Sequence, residues 1–302
     1  MVSIPTTTPY FSSHSAEATV KDFITLLKPG VMTLVVFSGW VGIYLAPGDL
    51  HPFLEGLVLL AIALGSGASG ALNMWYDRDI DALMKRTQSR PIPAGRIAPQ
   101  DALAFGMILA IFSIILMGLS TNYFAATLLA FSIFFYAVIY TMILKRTTAY
   151  NIVIGGAAGA FPPLIGWVAA TNAISPEAVL LFFIIFLWTP PHFWALALTK
   201  VEDYKQANIP MLPNVVGEQA TKKQILIYSF LLISFSYFFF WFPPYGWIYG
   251  SLITILNLGW LFFTFKLYFK GKNTNAMRLF IFSIVYLFLL LSALVLDHGI
   301  GR

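Results

Sequence analysis

Nine long apolar stretches, separated by short polar ones, divide the 302-residue chain: 31–46, 53–72, 103–119, 123–144, 152–170, 178–198, 225–242, 247–265 and 279–296. Each is long enough, or nearly so, for a tilted membrane-crossing helix of roughly 20 residues. The runs are continuous rather than alternating, which predicts helices and not the strands of a membrane barrel. Pro29-Gly30, Ala46-Pro47-Gly48, Ser175-Pro176 and Pro243-Pro244 punctuate their ends. The pattern therefore predicts an all-α polytopic membrane protein, a bundle of nine transmembrane helices forming a single unit over 1–302. Residues 1–20, rich in Ser, Thr and Pro, read as a flexible N-terminal tail without the features of a cleaved secretory signal or an Arg-rich transit segment.

Composition agrees. Hydrophobic residues make up 59% and charged residues 10%, against about 25% charged in a soluble domain. Mean hydropathy is +0.79. Cysteine is absent, which excludes disulfides, thiolate metal sites and cysteine nucleophiles. The net charge of +5 is modest, and nucleic-acid binding does not suit so apolar a chain. Aromatic residues reach 17%, enough both to face lipid and to line a cavity for a large flat or isoprenoid ligand.

The basic residues set the orientation. Lys21 and Lys28 precede the first predicted helix; Arg78, Lys85, Arg86, Arg90 and Arg96 follow the second; Lys145 and Arg146 follow the fourth. Lys200, Lys205, Lys222 and Lys223 follow the sixth, and Lys266, Lys270, Lys272 and Arg278 the eighth, while the other side keeps Arg302 alone. The positive-inside rule then predicts a cytoplasmic N-terminus and an outside C-terminus. Two long loops, 77–101 and 199–224, follow helices two and six, which run in the same direction. This suggests two parallel four-helix repeats plus one helix, with a ligand site where the repeats meet.

Candidate chemistry concentrates in these loops. Asn73, Asp77 and Asp81 fall at i, i+4 and i+8, so a helix stacks them on one face. Magnesium prefers oxygen ligands, typically one or two carboxylates plus water and phosphate oxygens. Asp77 and Asp81 suit such a metal, Asn73 adds a neutral carbonyl, and Arg78, Lys85, Arg86 and Arg90 are placed to offset a diphosphate. A solvated helix end is the competing explanation for the carboxylates, as ordinary topology is for the basic residues. Lys145 and Arg146 join this site only if helix four ends beside helix two.

The second loop starts within the sixth apolar stretch, at Trp188-Thr-Pro190-Pro191-His192-Phe-Trp194. Consecutive prolines free backbone carbonyls and predict a bend, and an ionisable His192 at membrane depth is a functional candidate. A neutral, hydrogen-bonded structural histidine is its plain alternative. Lys200, Glu202 and Asp203 follow; adjacent carboxylates diverge on a helix, so this second acidic site is the poorer chelate. Nothing suggests a Ser-His-Asp arrangement or a phosphate-cradling glycine loop, and the glycines at 65, 67 and 70 read as helix packing.

Taken together, these motifs resemble the UbiA superfamily of membrane prenyltransferases, and within it the branch that prenylates haem. The resemblance rests on Asn73-x-x-x-Asp77-Arg78-x-x-Asp81, Arg90-Pro-Ile-Pro93 with Gly95, and Tyr140-Thr-x-x-Leu-Lys145-Arg146-x-Thr-x-x-Asn151. It rests also on the glycine-rich run from Gly155 to Trp167, on Trp188-Thr-Pro-Pro-His192-Phe-Trp194, and on Asp203-Tyr-x-x-Ala-x-Ile-Pro210-Met-Leu-Pro213. It implies helices around a central cavity, and transfer of a farnesyl group from farnesyl diphosphate to a vinyl group of haem b. It also implies Mg²⁺ on Asp77 and Asp81 with Asn73 assisting, and diphosphate contacts from Arg78, Lys85, Arg86, Arg90, Lys145, Arg146 and Lys200. Trp188, His192 and Trp194 become candidates for haem contact. The implied setting is a bacterial cytoplasmic membrane with the site at its cytoplasmic face, and haem A synthase is the suggested downstream partner. Quinone-prenylating relatives carry a second aspartate motif where this chain has His192 and the Glu202-Asp203 pair, which leaves the number of metals open. Prenylation of an aromatic quinone precursor, or a non-enzymatic transporter, are the rival readings.

Overall fold

A computed structural model describes residues 18–242, 245–271 and 273–301. Most of the expected N-terminal tail and the Pro243-Pro244 break lie outside them. Every described element is helical: α1 (Val20–Leu26), α2 (Pro29–Leu45), α3 (Pro52–Tyr76), α4 (Arg78–Leu83), α5 (Pro99–Ser120) and α6 (Tyr123–Phe134). A π-helix over Phe135–Leu144 continues α6 into α7 (Lys145–Thr147), and α8 (Asn151–Gly155) and α9 (Ala157–Thr171) follow. Then come α10 (Pro176–Leu198), α11 (Val201–Gln206), α12 (Leu212–Val216), α13 (Glu218–Ser236), α14 (Trp247–Lys270) and α15 (Asn273–Gly301).

Among the described residues, eight helices are long and apolar enough to cross a membrane, and the pair α1–α2, bent by 54°, makes a ninth span. The chain is thus a multi-pass membrane protein, and each span coincides with one apolar stretch of the sequence. Proline stands at the first turn of α2, α3, α5 and α10, where its missing N–H costs nothing. Asn122 and Ser175 accept hydrogen bonds from the backbone N–H groups of Ala125 and Ala178 and so cap α6 and α10.

Successive spans pack as neighbours, and the ninth closes against the sixth, the eighth and the first. Between the halves α2 packs most extensively against α9, with the fourth span also meeting α8 and α9, whereas the second and sixth spans do not pack as a pair. The reason is the size of the residues. A Cβ on Gly42 would lie 2.0 Å from the Pro163 carbonyl oxygen, and one on Gly166 would lie 2.1 Å from that of Gly39. Only glycine permits so close a backbone approach. Pro162 and Pro163 sit inside α9, and Pro190 and Pro191 inside α10, yet both helices run unbroken through the pairs.

Two smaller apolar clusters fix the loops at one end of the bundle. Ile80 and Met84 of the first loop pack with Tyr204, Ala207, Ile209 and Met211 of the second, over Ile152 and Ala197. Ile92 and Ile97 pack against Leu26, Ala71, Met74 and Ala102. Arg96 ties the same stretch to α1 through a 2.7 Å ion pair with Asp22. The two long loops, far apart in sequence, therefore share one packed face.

Candidate active site

Asp77 ends α3 and Asp81 lies in α4, but the chain does not leave the helical path between them. The Asp77 N–H donates to the Asn73 carbonyl at 2.9 Å, and the Asp81 N–H to that of Asp77 at 2.8 Å. Asn73, Asp77 and Asp81 consequently stay stacked on one face, and all three are buried.

Opposite them runs the π-helix. Its wider turn is visible in the Thr141 hydroxyl, which donates to the Tyr136 carbonyl five residues earlier at 2.8 Å. This winding brings Tyr136, Thr141 and Lys145 onto the face that meets α3, and isolated π turns are frequent at functional sites. Asn73 Nδ2 donates both to Asp77 Oδ2 at 2.8 Å and to Thr141 Oγ1 at 3.0 Å. Lys145 donates to Asp77 Oδ2. Arg146 forks onto Asp79 with bonds of 2.8 and 2.7 Å, comes within 3.6 Å of Asp77 Oδ1, and lies over the Tyr76 ring. The fourth span thus ends beside the second, the condition under which Lys145 and Arg146 enter the site.

Lys28 completes the cluster. It stands at the bend between α1 and α2 with φ +56°, an unusual backbone region for a residue with a side chain. Its ammonium donates to Asn73 Oδ1 at 2.8 Å and lies 3.5 Å from the Tyr136 hydroxyl. In the sequence Lys28 reads as topology alone; its signal is the Lys-Pro-Gly sequence, which forces a break directly before a helix. Arg90 reaches Asp81 Oδ2 at 2.6 Å, from a turn held by the buried Ile92 and by Gly95 at φ +72°.

Four cations, Lys28, Arg90, Lys145 and Arg146, thus face three carboxylates, Asp77, Asp79 and Asp81. Arg146 holds the Asp79 carboxyl below its ordinary value, chiefly through its hydrogen bonds. Burial raises the Tyr204 phenol, with Arg86 and Arg90 opposing the shift. Arg86 therefore faces the second loop from the first.

The remaining candidates divide. Arg78 is exposed, donates to the Trp75 carbonyl at 2.7 Å and lies over the Trp75 ring, away from Asp77 and Asp81. It lines an open pocket of about 320 Å³ with Trp75, Tyr76, Asp79 and Arg146. Lys85 and Glu202 are exposed, and Lys200 and Asp203 are half-buried. None of these four makes a hydrogen bond or ion pair to Asp77 or Asp81. Trp188 and His192 stack on each other with ring centroids 4.2 Å apart. Trp194, two residues on, points elsewhere: it is fully buried against Tyr228 and the cluster of Leu198, Ile225 and Leu267.

Among the described residues, no three His, Asp or Glu side chains are grouped to hold a metal alone. The oxygens of Asp77 and Asp81 fit a different arrangement, in which a hard cation takes part of its shell from a ligand. Asp77 Oδ1 supports this fit, being a buried carboxylate oxygen with no hydrogen-bond partner.

Residues 35–291 match the UbiA prenyltransferase family. The protoheme IX farnesyltransferase of Rhizobium meliloti (strain 1021) is 53% identical over 293 residues, 95% of this chain and 92% of the relative. That of Brucella ovis is 55% identical over 276 residues, covering 90% and 88%. In three dimensions, a digeranylgeranylglyceryl phosphate synthase superposes with a TM-score of 0.77 at 20% identity, over 92% of this chain and 98% of the other. A UbiA homolog from Archaeoglobus fulgidus bound to GPP and Mg²⁺ superposes with a TM-score of 0.66 at 18% identity, over 90% and 99%.

Proposed function

The chain belongs to the UbiA prenyltransferase family, and from that membership we propose that it is a protoheme IX farnesyltransferase, taking farnesyl diphosphate and haem b to haem O. The observation that carries the chemistry is the buried ladder of Asn73, Asp77 and Asp81 set against Lys28, Lys145, Arg146 and Arg90. A diphosphate leaving group needs preorganised positive charge where its own negative charge develops, in a site poor in water. Four converging cations meet that need, and guanidinium forks match phosphate oxygens.

Asp77 and Asp81 would hold Mg²⁺, with Asn73 beside them; when bound, the ion supplies Lewis-acid stabilisation to the diphosphate oxygens. The allylic C–O bond of farnesyl diphosphate then breaks, and both electrons leave with pyrophosphate. Lys145, Arg146, Lys28 and Arg90 are placed to receive that charge. The terminal vinyl carbon of haem forms the new C–C bond, and water captures the resulting cation and loses a proton, giving a hydroxyethylfarnesyl group. Trp188 and His192, buried on the sixth span, are the residues that would meet the haem.

The distribution of lysine and arginine supports a cytoplasmic N-terminus in a bacterial inner membrane, with this site at the cytoplasmic face. The test is direct. Membranes carrying the protein, supplied with haem b, farnesyl diphosphate and Mg²⁺, should form haem O. Prenylation of a hydroxybenzoate or naphthoate with no haem product would overturn the assignment.

A further inference from the structure

One residue of the ninth span holds both Trp188 and His192. Trp188 Nε1 donates to the backbone carbonyl of Ser283 at 2.8 Å, and His192 Nδ1 lies 2.6 Å from the Ser283 hydroxyl oxygen. A serine hydroxyl has a single proton, and this one goes to the Phe280 carbonyl at 2.5 Å. With that proton on the Phe280 carbonyl, Ser283 Oγ accepts from His192, and the imidazole proton sits on Nδ1. Nε2 keeps its lone pair.

The ring is also fixed in plane. Trp188 stacks on it at 4.2 Å and 18°, and Phe280 at 4.6 Å and 24°. Trp188 and Phe280 make no ring contact with each other, so they occupy opposite faces of the imidazole. Among the described residues Nε2 makes no hydrogen bond, and His192 is 7% exposed. A buried structural histidine normally satisfies both nitrogens. Here one is satisfied, the ring is held between two aromatic rings, and the second is left as a base without a partner among the described residues. That is the form in which imidazole binds a metal, with the other N–H anchored to orient it.

We propose that Ser283 is a positioning residue that locks His192 in the Nδ1–H tautomer, with Nε2 presented as an axial ligand to the iron of the haem substrate. The inference rests on haem being the acceptor. It assigns Ser283 a role that no feature of its own apolar stretch suggests.

The test uses the purified full-length protein in detergent, titrated with ferric haem b in the absence of farnesyl diphosphate and followed by Soret absorption and electron paramagnetic resonance. The unmodified protein should give a nitrogen-ligated iron signature. His192→Ala should lose it, and added imidazole should restore it. Ser283→Ala should weaken haem binding about 10- to 100-fold, and Ser283→Thr should bring it back. Magnetic resonance of ¹⁵N-histidine-labelled unmodified protein reads the tautomer whether or not Ser283→Ala folds, with the His192 signal identified by its loss in His192→Ala. An Nε2–H tautomer, an iron signature untouched by His192→Ala, or a folded Ser283→Ala with unchanged haem affinity would each overturn the proposal. In all three cases the unmodified membranes would still make haem O. Failure to make it would instead remove the farnesyltransferase reading itself.

Discussion

The Lys28 ammonium lies 2.8 Å from Asn73 Oδ1, delivered there by a backbone bend at φ +56°. A left-handed conformation costs a side-chain-bearing residue about 1–2 kcal/mol, and such strain persists where surrounding structure and function hold it. Pro29 pins the start of α2 immediately afterwards, so the bend cannot move along the chain. Lys28→Gly separates the two contributions. It should leave thermal stability unchanged or slightly raised, because glycine accepts this conformation. It should also lower kcat/KM for farnesyl diphosphate about 10- to 100-fold, the worth of one charged hydrogen bond of about 1.5–3 kcal/mol. Thermal unfolding and steady-state kinetics on the same preparation check both halves.

The carboxylates differ in burial, and their substitutions should differ in consequence. Asp77 and Asp81 are buried and serve the metal reading, whereas Asp79 is exposed and ion-paired to Arg146. Asp77→Asn and Asp81→Asn should abolish haem O formation while the protein still inserts into the membrane. Asp79→Asn should keep turnover within about fivefold, since a solvent-exposed ion pair is worth about 1 kcal/mol or less. Full activity in Asp77→Asn would take Asp77 out of metal binding.

How much of this was readable in advance follows the reach of each interaction. The Asn73, Asp77 and Asp81 face was legible because it depends on helix periodicity, and the i to i+4 hydrogen bonds run on through Asp77. The spans were legible because bilayer thickness imposes their length. Partners contributed by other spans were not. Nothing local pairs Lys145 with Asp77 or Ser283 with His192. The π-helix escaped for a related reason: 135–144 contains neither proline nor glycine to mark a change of winding. Side-chain direction is likewise not legible at two positions. Arg78 follows Asp77 by one residue and turns out to the Trp75 ring, and Trp194 follows His192 by two and points to the other side of its helix.

The glycines joining the two halves offer a graded test. Gly42 faces the Pro163 backbone, where a Cβ would come within 2.0 Å of the carbonyl oxygen. Gly39 meets the Ile62 side-chain tip at 2.8 Å, and Gly30 has nothing within 4 Å. Backbone cannot yield without moving α9, whereas the end of an isoleucine can rotate. Gly42→Ala should therefore cost about 1–3 kcal/mol or more, Gly39→Ala distinctly less, and Gly30→Ala should not strain the packing. Detergent-solubilised thermal unfolding of the three variants would show that order; equal losses would mean that α2 and α9 are not held by backbone approach.

Lys145 yields the prediction with the least intuitive sign. Its ammonium is paired with Asp77, a carboxylate assigned to the metal, so it acts as a competing cation on that carboxylate. It is also one of the charges assigned to the departing pyrophosphate. Removing it should act oppositely on the two functions. Lys145→Met should tighten binding of Mn²⁺, used as a paramagnetic stand-in for Mg²⁺, when no diphosphate is present. The same variant should slow haem O formation by about 100-fold or more, because a charge that acts where the leaving group develops is worth several kcal/mol. Truncating one member of a buried pair leaves the other uncompensated at about 3–5 kcal/mol, so added divalent cation should also raise the variant's melting temperature more than that of the unmodified protein. Weaker Mn²⁺ binding in Lys145→Met would mean that the lysine supports the metal site instead of competing for it, and the competition at the Asp77 carboxylate would fall.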